Sequence, residues 1–265
     1  MNLNNLSKDK KFALLYGIML GDGCLSHYKT KEGYEKFIVC ITGDFYSDSP
    51  FYKHFLVPLL KSLSIRSVLV KKRPKNGTLA INLSDKLLFD KVSSLGFPTG
   101  KKGNVLEIPK YFYLNNLIRF VVTGYFSTDG CIVLTKNPNK YYPRIEGHGI
   151  APKLILQIND YLNSTGLNGH FYKCKRTLRD PRWKTSQQQY RFQFNGERNL
   201  NLFENIINFI NPKHQKRFSE FIKYSNNYNT AIKGIPTQKQ KPIRNKINKK
   251  YNMAAPRVEL GTSCS

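Results

Sequence analysis

Two short stretches constrain this chain more than anything else in it: residues 15–23, LYGIMLGDG, and residues 122–130, VTGYFSTDG. Each is an apolar run at helical spacing that stops at Asp-Gly, and Cys24-Leu25 follows one copy as Cys131-Ile132 follows the other. A helix places Ala13, Gly17 and Gly21 four apart on one face, and Phe120, Gly124 and Thr128 likewise. Small residues at that spacing let two backbones approach closely, so the copies are expected to pack through Gly17, Gly21, Gly124 and Thr128. Asp22 and Asp129 then stand side by side at one end of the pair. Two carboxylates forced together repel unless a cation shares them, and a divalent metal is the simplest solution. Gly23 and Gly130 are expected to turn each chain sharply out of its helix.

The copies lie far enough apart for each to belong to a whole domain. Ser7 is the expected N-cap of the first helix. Strands follow at 24–28 and 37–42, then a helical pattern from Pro50 with a kink or break at Pro58. A second hairpin, 67–72 with 78–83, turns about Lys75-Asn76-Gly77, and Ser84 caps a helix to about Leu95. The turn-rich segment that ends at Pro109 reads as a linker. The order repeats with strands at 131–136 and 143–148, a helix at 153–164, a hairpin of 169–176 with 189–194, and a helix at 196–210. Ile41-Thr42-Gly43 aligns on Ile145-Glu146-Gly147, Ile65 on Leu167 and Lys71 on Lys173. The fold class is α+β, two pseudo-symmetric αββαββα half-domains packed through the motif helices. The divisions are 1–97 and 110–224 for the half-domains, 98–109 for the linker and 225–265 for a basic, disordered tail, whose last stretch MAAPRVELGTSCS is set aside from function.

Charge narrows the partner. With 43 Lys+Arg against 17 Asp+Glu the chain carries +26, which points to a polyanion, nucleic acid first. No run of about 18 apolar residues argues for a membrane span. The five cysteines form no C-x-x-C, so neither a zinc site nor a disulfide framework is suggested, and an intracellular protein with reduced thiols is expected. The N-terminus shows no signal peptide, and richness in Lys, Asn, Ile and Tyr fits an organelle or a prokaryotic or archaeal cytoplasm. Alternating strand residues let a sheet bury one face and offer the other to DNA. The candidates are Lys29, Lys31, Lys36, Arg66, Lys71, Arg73 and Lys75 in the first half, and Lys136, Lys140, Arg144, Lys173, Lys175, Arg176, Arg191 and Gln193 in the second. Some would read bases in the major groove and others hold phosphates, and the long loop carrying Trp183 is placed to grip flanking backbone.

The paired motif, over roughly residues 8 to 222, resembles the LAGLIDADG homing endonucleases in their single-chain, two-repeat form. That resemblance implies a monomer whose two β-hairpin sheets form a DNA-binding saddle. It implies Mg²⁺ at Asp22 and Asp129, with Gly21 and Thr128 beside them, Mn²⁺ substituting and Ca²⁺ binding without cleavage. It also implies a basic group in each half, Lys102 or Lys101 in one and Lys213 or Lys216 in the other. A polar residue usually closes the second strand of each half. Here Gly43 beside Asp44 and Gly147 beside His148 stand instead, and the motif's first acidic position is Leu20 and Ser127. The function implied is a site-specific DNA endonuclease, intron-encoded. The alternatives are an intron RNA maturase and a DNA-binding regulator without cleavage. Retention of both aspartates favours catalysis.

Overall fold

The computed structural model describes residues 1–137, 140–174 and 188–233. Ser7 caps the first helix, α1 (Lys8–Asp22), by accepting from the Lys10 amide at 3.4 Å. The chain enters β1 (Gly23–Lys29) with no loop, then β2 (Glu35–Asp44). Helix α2 (Phe45–Phe51), a π-turn (Tyr52–Leu56) and α3 (Val57–Leu63) follow as one continuous rod. Strands β3 (Val70–Arg73) and β4 (Thr78–Ser84) and helix α4 (Lys86–Ser93) complete the first half. The second half runs α5 (Lys110–Leu114), α6 (Ile118–Asp129), β5 (Gly130–Asn137), β6 (Lys140–Gly149), α7 (Pro152–Ser164), β7 (Gly169–Lys173), β8 (Tyr190–Asn195), α8 (Glu197–Ile207) and α9 (Pro212–Lys233). Each half forms one antiparallel four-stranded sheet, ordered β1-β2-β4-β3 and β5-β6-β8-β7. Among the described residues no helix is long and apolar enough to cross a membrane.

The motif helices α1 and α6 meet backbone to backbone. A methyl at Gly17 would strike the Val121 carbonyl, one at Gly124 the Leu14 carbonyl, and one at Gly21 the Thr128 hydroxyl. All of Phe12 to Leu20 except Gly17 count among the buried hydrophobic residues, because α1 is covered on every side. Gly124→Ala is therefore expected to cost about 1–3 kcal/mol, since backbone cannot step aside as a side-chain tip can. A urea midpoint equal to that of the parent would show that the helices do not meet at this point.

Several expectations need correction. Gly23 and Gly130 take each chain straight from helix into strand, but with φ values of −85° and −81°, extended backbone that needs no glycine. They are glycines for lack of space, because a Cβ at Gly23 would crowd Met19 and one at Gly130 would crowd Phe126. Pro58 does not break its helix. Proline cannot donate to the fourth carbonyl back, and a π-turn stands just before it, from which α3 continues without a gap. Asp85, not Ser84, caps α4, accepting from the Leu88 amide at 3.0 Å. Asn116, at φ 54°, separates α5 from α6. The segment expected as linker is anchored: Ile108 exchanges two hydrogen bonds with the Gln157 side chain, at 2.7 and 3.0 Å. Helix α9, with Phe221 buried, reaches Lys233, past the expected start of the tail. Residues beyond 233 lie outside the described ones.

The alignment of the halves also shifts. Gly23 pairs with Ile41 and Gly130 with Gly147, so Gly147 matches Ile41, and Gly149, not Gly147, matches Gly43. In the outer hairpins Val70 opposes Ile81 and Phe171 opposes Phe192, which matches Lys71 with Tyr172 and not with Lys173. A slip of one residue reverses the face of the sheet, so Lys71 and Lys173 are not equivalent.

Candidate active site at the foot of the paired helices

Because α1 and α6 end at the same level, Asp22 and Asp129 come together where both helices stop. Neither carboxylate is comfortable there. Burial, then the neighbouring Asp129 and Asp48, raise Asp22 to about 7, against the pull of Lys213 and Lys102. Burial likewise raises Asp129, opposed by Lys102, His148 and Lys213. The C-terminal end of a helix is a further unfavourable place for an acid.

Lys102, not the exposed Lys101, reaches the pair. Its ammonium donates to the carbonyls of Met19 (3.4 Å), Leu20 (3.2 Å) and Gly21, closing the last turn of α1. Burial lowers its pKa, while Asp129 and Asp22 pull it back up. Lys213 is held differently, by an ion pair of 2.9 Å with Asp48 Oδ1, and Lys216 is exposed. Thr128 Oγ1 donates to the Tyr125 carbonyl at 2.9 Å. Asp44, beside Gly43 at the end of β2, caps α2 by accepting from the Tyr46 and Ser47 amides.

Sequence reasoning did not find four residues that shape this region. Buried Asp48 accepts from Asn211 Nδ2 at 3.0 Å, and the same Nδ2 donates to the Ser127 carbonyl at 2.8 Å, tying α2 of one half to α6 of the other. His214 Nε2 bonds the Gly130 carbonyl at 3.0 Å, and burial holds its pKa down to about 3, so the ring is neutral. Tyr52 is buried with its hydroxyl unpartnered. The one sequence sign was an acid and a tyrosine four apart on one helical segment.

Among the described residues no three His, Cys, Asp or Glu side chains stand close enough to cage a metal. Two carboxylates driven toward protonation by burial and mutual repulsion nevertheless fit a hard divalent cation. Their donors are all oxygen, and an ion such as Mg²⁺ keeps several waters and needs only one or two protein carboxylates.

No protein-family model matches the chain, and no curated protein does. Solved structures do match. I-DmoI in complex with its nicked target DNA in the presence of manganese superposes with a TM-score of 0.53 at 18% identity, over 76% of this chain and 97% of that one. I-SmaMI bound to uncleaved DNA with calcium ions gives 0.51 at 13% identity, over 84% and 92%. The LAGLIDADG meganuclease I-AabMI bound to uncleaved DNA gives 0.50 at 14%, over 83% and 92%. The chain has the LAGLIDADG homing-endonuclease fold.

Within this LAGLIDADG fold the sheets turn Val39, Ile41, Leu79, Ile81 and Leu83 inward in one half, and Ile132, Ile145, Phe192 and Phe194 in the other. The alternate residues face away from the helices. Lys36, Lys71 and Arg73 lie on that outward register in the first sheet, with Arg66, Lys31 and Lys75 exposed in the connecting turns. Lys29 has the inward register but is exposed at the strand tip, where it faces Glu35 at 4.0 Å. In the second sheet Arg144, Arg191 and Gln193 are outward, and Lys136 and Lys173 are exposed at strand ends. The outward surface is not free of acids. Buried Glu146 pairs with Arg144 Nε at 2.9 Å and Arg191 Nη1 at 3.4 Å, so two of the expected cations are partly neutralised. Lys175, Arg176 and the loop around Trp183 lie outside the described residues, as does the side chain of Lys140.

Proposed function

We propose that this chain is a divalent-metal-dependent DNA endonuclease of the homing type, cutting both strands of a long, pseudo-symmetric site. The observation that carries this is the meeting of Asp22 and Asp129 at the foot of two packed helices, each near a lysine and between two sheets with basic outward residues. Two linked half-domains, divided near residues 98–109, suit a duplex of two related half-sites read from one chain. Related folds that hold target DNA, one with manganese and one with calcium, support the same reading. An intron origin belongs to this proposal.

Hydrolysis of a phosphodiester forms a bond from a water oxygen to phosphorus and breaks the bond to the leaving sugar oxygen. A divalent ion, when bound, lowers the pKa of water and stabilises the charge that develops on phosphate. Asp22 and Asp129 would hold it. Lys102 and Lys213 are placed to donate to phosphate oxygens or to the water, once DNA draws them from the α1 carbonyls and from Asp48. Mg²⁺ is the expected ion, Mn²⁺ a substitute, and Ca²⁺ one that supports binding only.

The test is incubation with a randomised-site DNA library in Mg²⁺ and in Ca²⁺. A specific double-strand break that needs Mg²⁺ supports the proposal. Tight specific binding without a cut would replace it with a DNA-binding regulator, and selective binding of structured intron RNA with a maturase.

A further inference from the structure

The position that would close the second strand of the first half with a polar side chain is Gly43, and the space above it is not empty. A Cβ built there would lie 2.9 Å from Tyr52 Cε2 and 3.0 Å from Tyr52 Oη. Tyr52 opens the π-turn, four residues beyond Asp48, and both side chains are buried. Its ring is 1% exposed and its hydroxyl has no hydrogen-bond partner. Burial first, then the charges of Asp22 and Asp48, push its pKa up, so the hydroxyl keeps its proton. An unpartnered buried hydroxyl costs stability, and a fold keeps such a cost where a ligand supplies the missing partner.

The second half offers no equivalent. Gly149, the register match of Gly43, looks onto Ile155 Cδ1 at 3.4 Å and Tyr125 Oη at 3.6 Å. The Tyr125 hydroxyl is already engaged, donating to the His148 carbonyl at 3.3 Å. The halves therefore differ at the position where their sequences look alike, glycine against glycine.

We propose that the Tyr52 hydroxyl replaces the polar side chain missing at Gly43 and donates a hydrogen bond to the attacking water on the Asp22 side of the site. The inference rests on the endonuclease reading. Tyr52 keeps its proton throughout and orients the water oxygen toward phosphorus; as that bond forms and the bond to the leaving sugar oxygen breaks, the water's proton passes to solvent and the leaving oxygen takes one from solvent. One strand of the target depends on this hydroxyl and the other does not.

The test is Tyr52→Phe, which removes one atom from a buried ring. Cutting of one strand should slow at least about tenfold, the scale of one hydrogen bond made in the transition state, while the other strand is cut at the parent rate. DNA affinity measured in Ca²⁺ should be unchanged. The DNA-free variant should melt about 2–4 °C higher than the parent, because the unpartnered group is gone. Parent rates on both strands would overturn the inference alone, and so would a lower melting temperature, which would make the hydroxyl structural. A parent protein that cuts no specific DNA would remove the endonuclease reading, and this inference with it.

Discussion

Asp22→Asn and Asp129→Asn are each expected to lower DNA cleavage by about a thousandfold or more, with DNA affinity in Ca²⁺-free buffer unchanged or improved. Asparagine keeps the shape of the side chain and removes the charge that would hold a cation, so the loss falls on the chemistry and not on the fold. Lewis-acid stabilisation is worth several kcal/mol of barrier, and each 1.4 kcal/mol is tenfold in rate. Affinity should not suffer, because the substitution removes a negative charge from a surface that meets phosphates. Asp44→Asn is the matched control. Asp44 caps α2 with its side chain directed at the Tyr46 and Ser47 amides, and asparagine caps as well as aspartate. Strand-resolved cleavage of a cognate duplex reads all three variants. If Asp22→Asn cut at the parent rate, the metal role of the pair would be lost, and an equal loss in Asp44→Asn would show that the assay reports helix capping.

The contrast between those aspartates marks what was legible in the residues alone. Spacing of small residues four apart identified the touching faces of α1 and α6, because backbone contact tolerates almost nothing but glycine at the crossing, as the Gly17–Val121 and Gly124–Leu14 approaches illustrate. Strand and helix order followed from turn residues and periodicity. Register did not. Ile-x-Gly occurs in both halves, yet Gly23 meets Ile41 while Gly130 meets Gly147, and only the ladder of the folded sheet distinguishes these. Asp48 was hidden for a related reason: its partner Asn211 lies 163 residues along the chain, and Tyr52 lies over Gly43 of a different element. Glu146 was hidden by long-range pairing, since its second arginine lies in a strand 45 residues away. Side chains that act through a partner far along the chain leave no local pattern.

Metal-free protein should grow less stable relative to its Asp22→Asn variant as pH rises from about 4 to 8. Asp22 is raised to about 7 in the fold from an ordinary value of 3.8, so in that window the folded chain binds a proton that the unfolded chain has released. Stability from this group is full below the ordinary value and is lost as pH climbs through the folded one. At 1.36 kcal/mol per unit the loss is on the order of 4 kcal/mol. The parent curve alone would mislead, because His214, held down to about 3 by burial, contributes the opposite slope up to its ordinary value of 6.5. Subtracting the variant removes His214 and leaves Asp22. Asp129, raised in the same direction by burial, should show a difference of the same sign in Asp129→Asn. Urea midpoints at pH 5, 6, 7 and 8 decide the matter, and a parent-to-variant difference that stays flat would mean that the two carboxylates are solvated. Added Mg²⁺ competes with the proton for the same oxygens. At a concentration of about 100 times its Kd it should restore about 2.7 kcal/mol to the parent at pH 8, and little at pH 5 or in either variant.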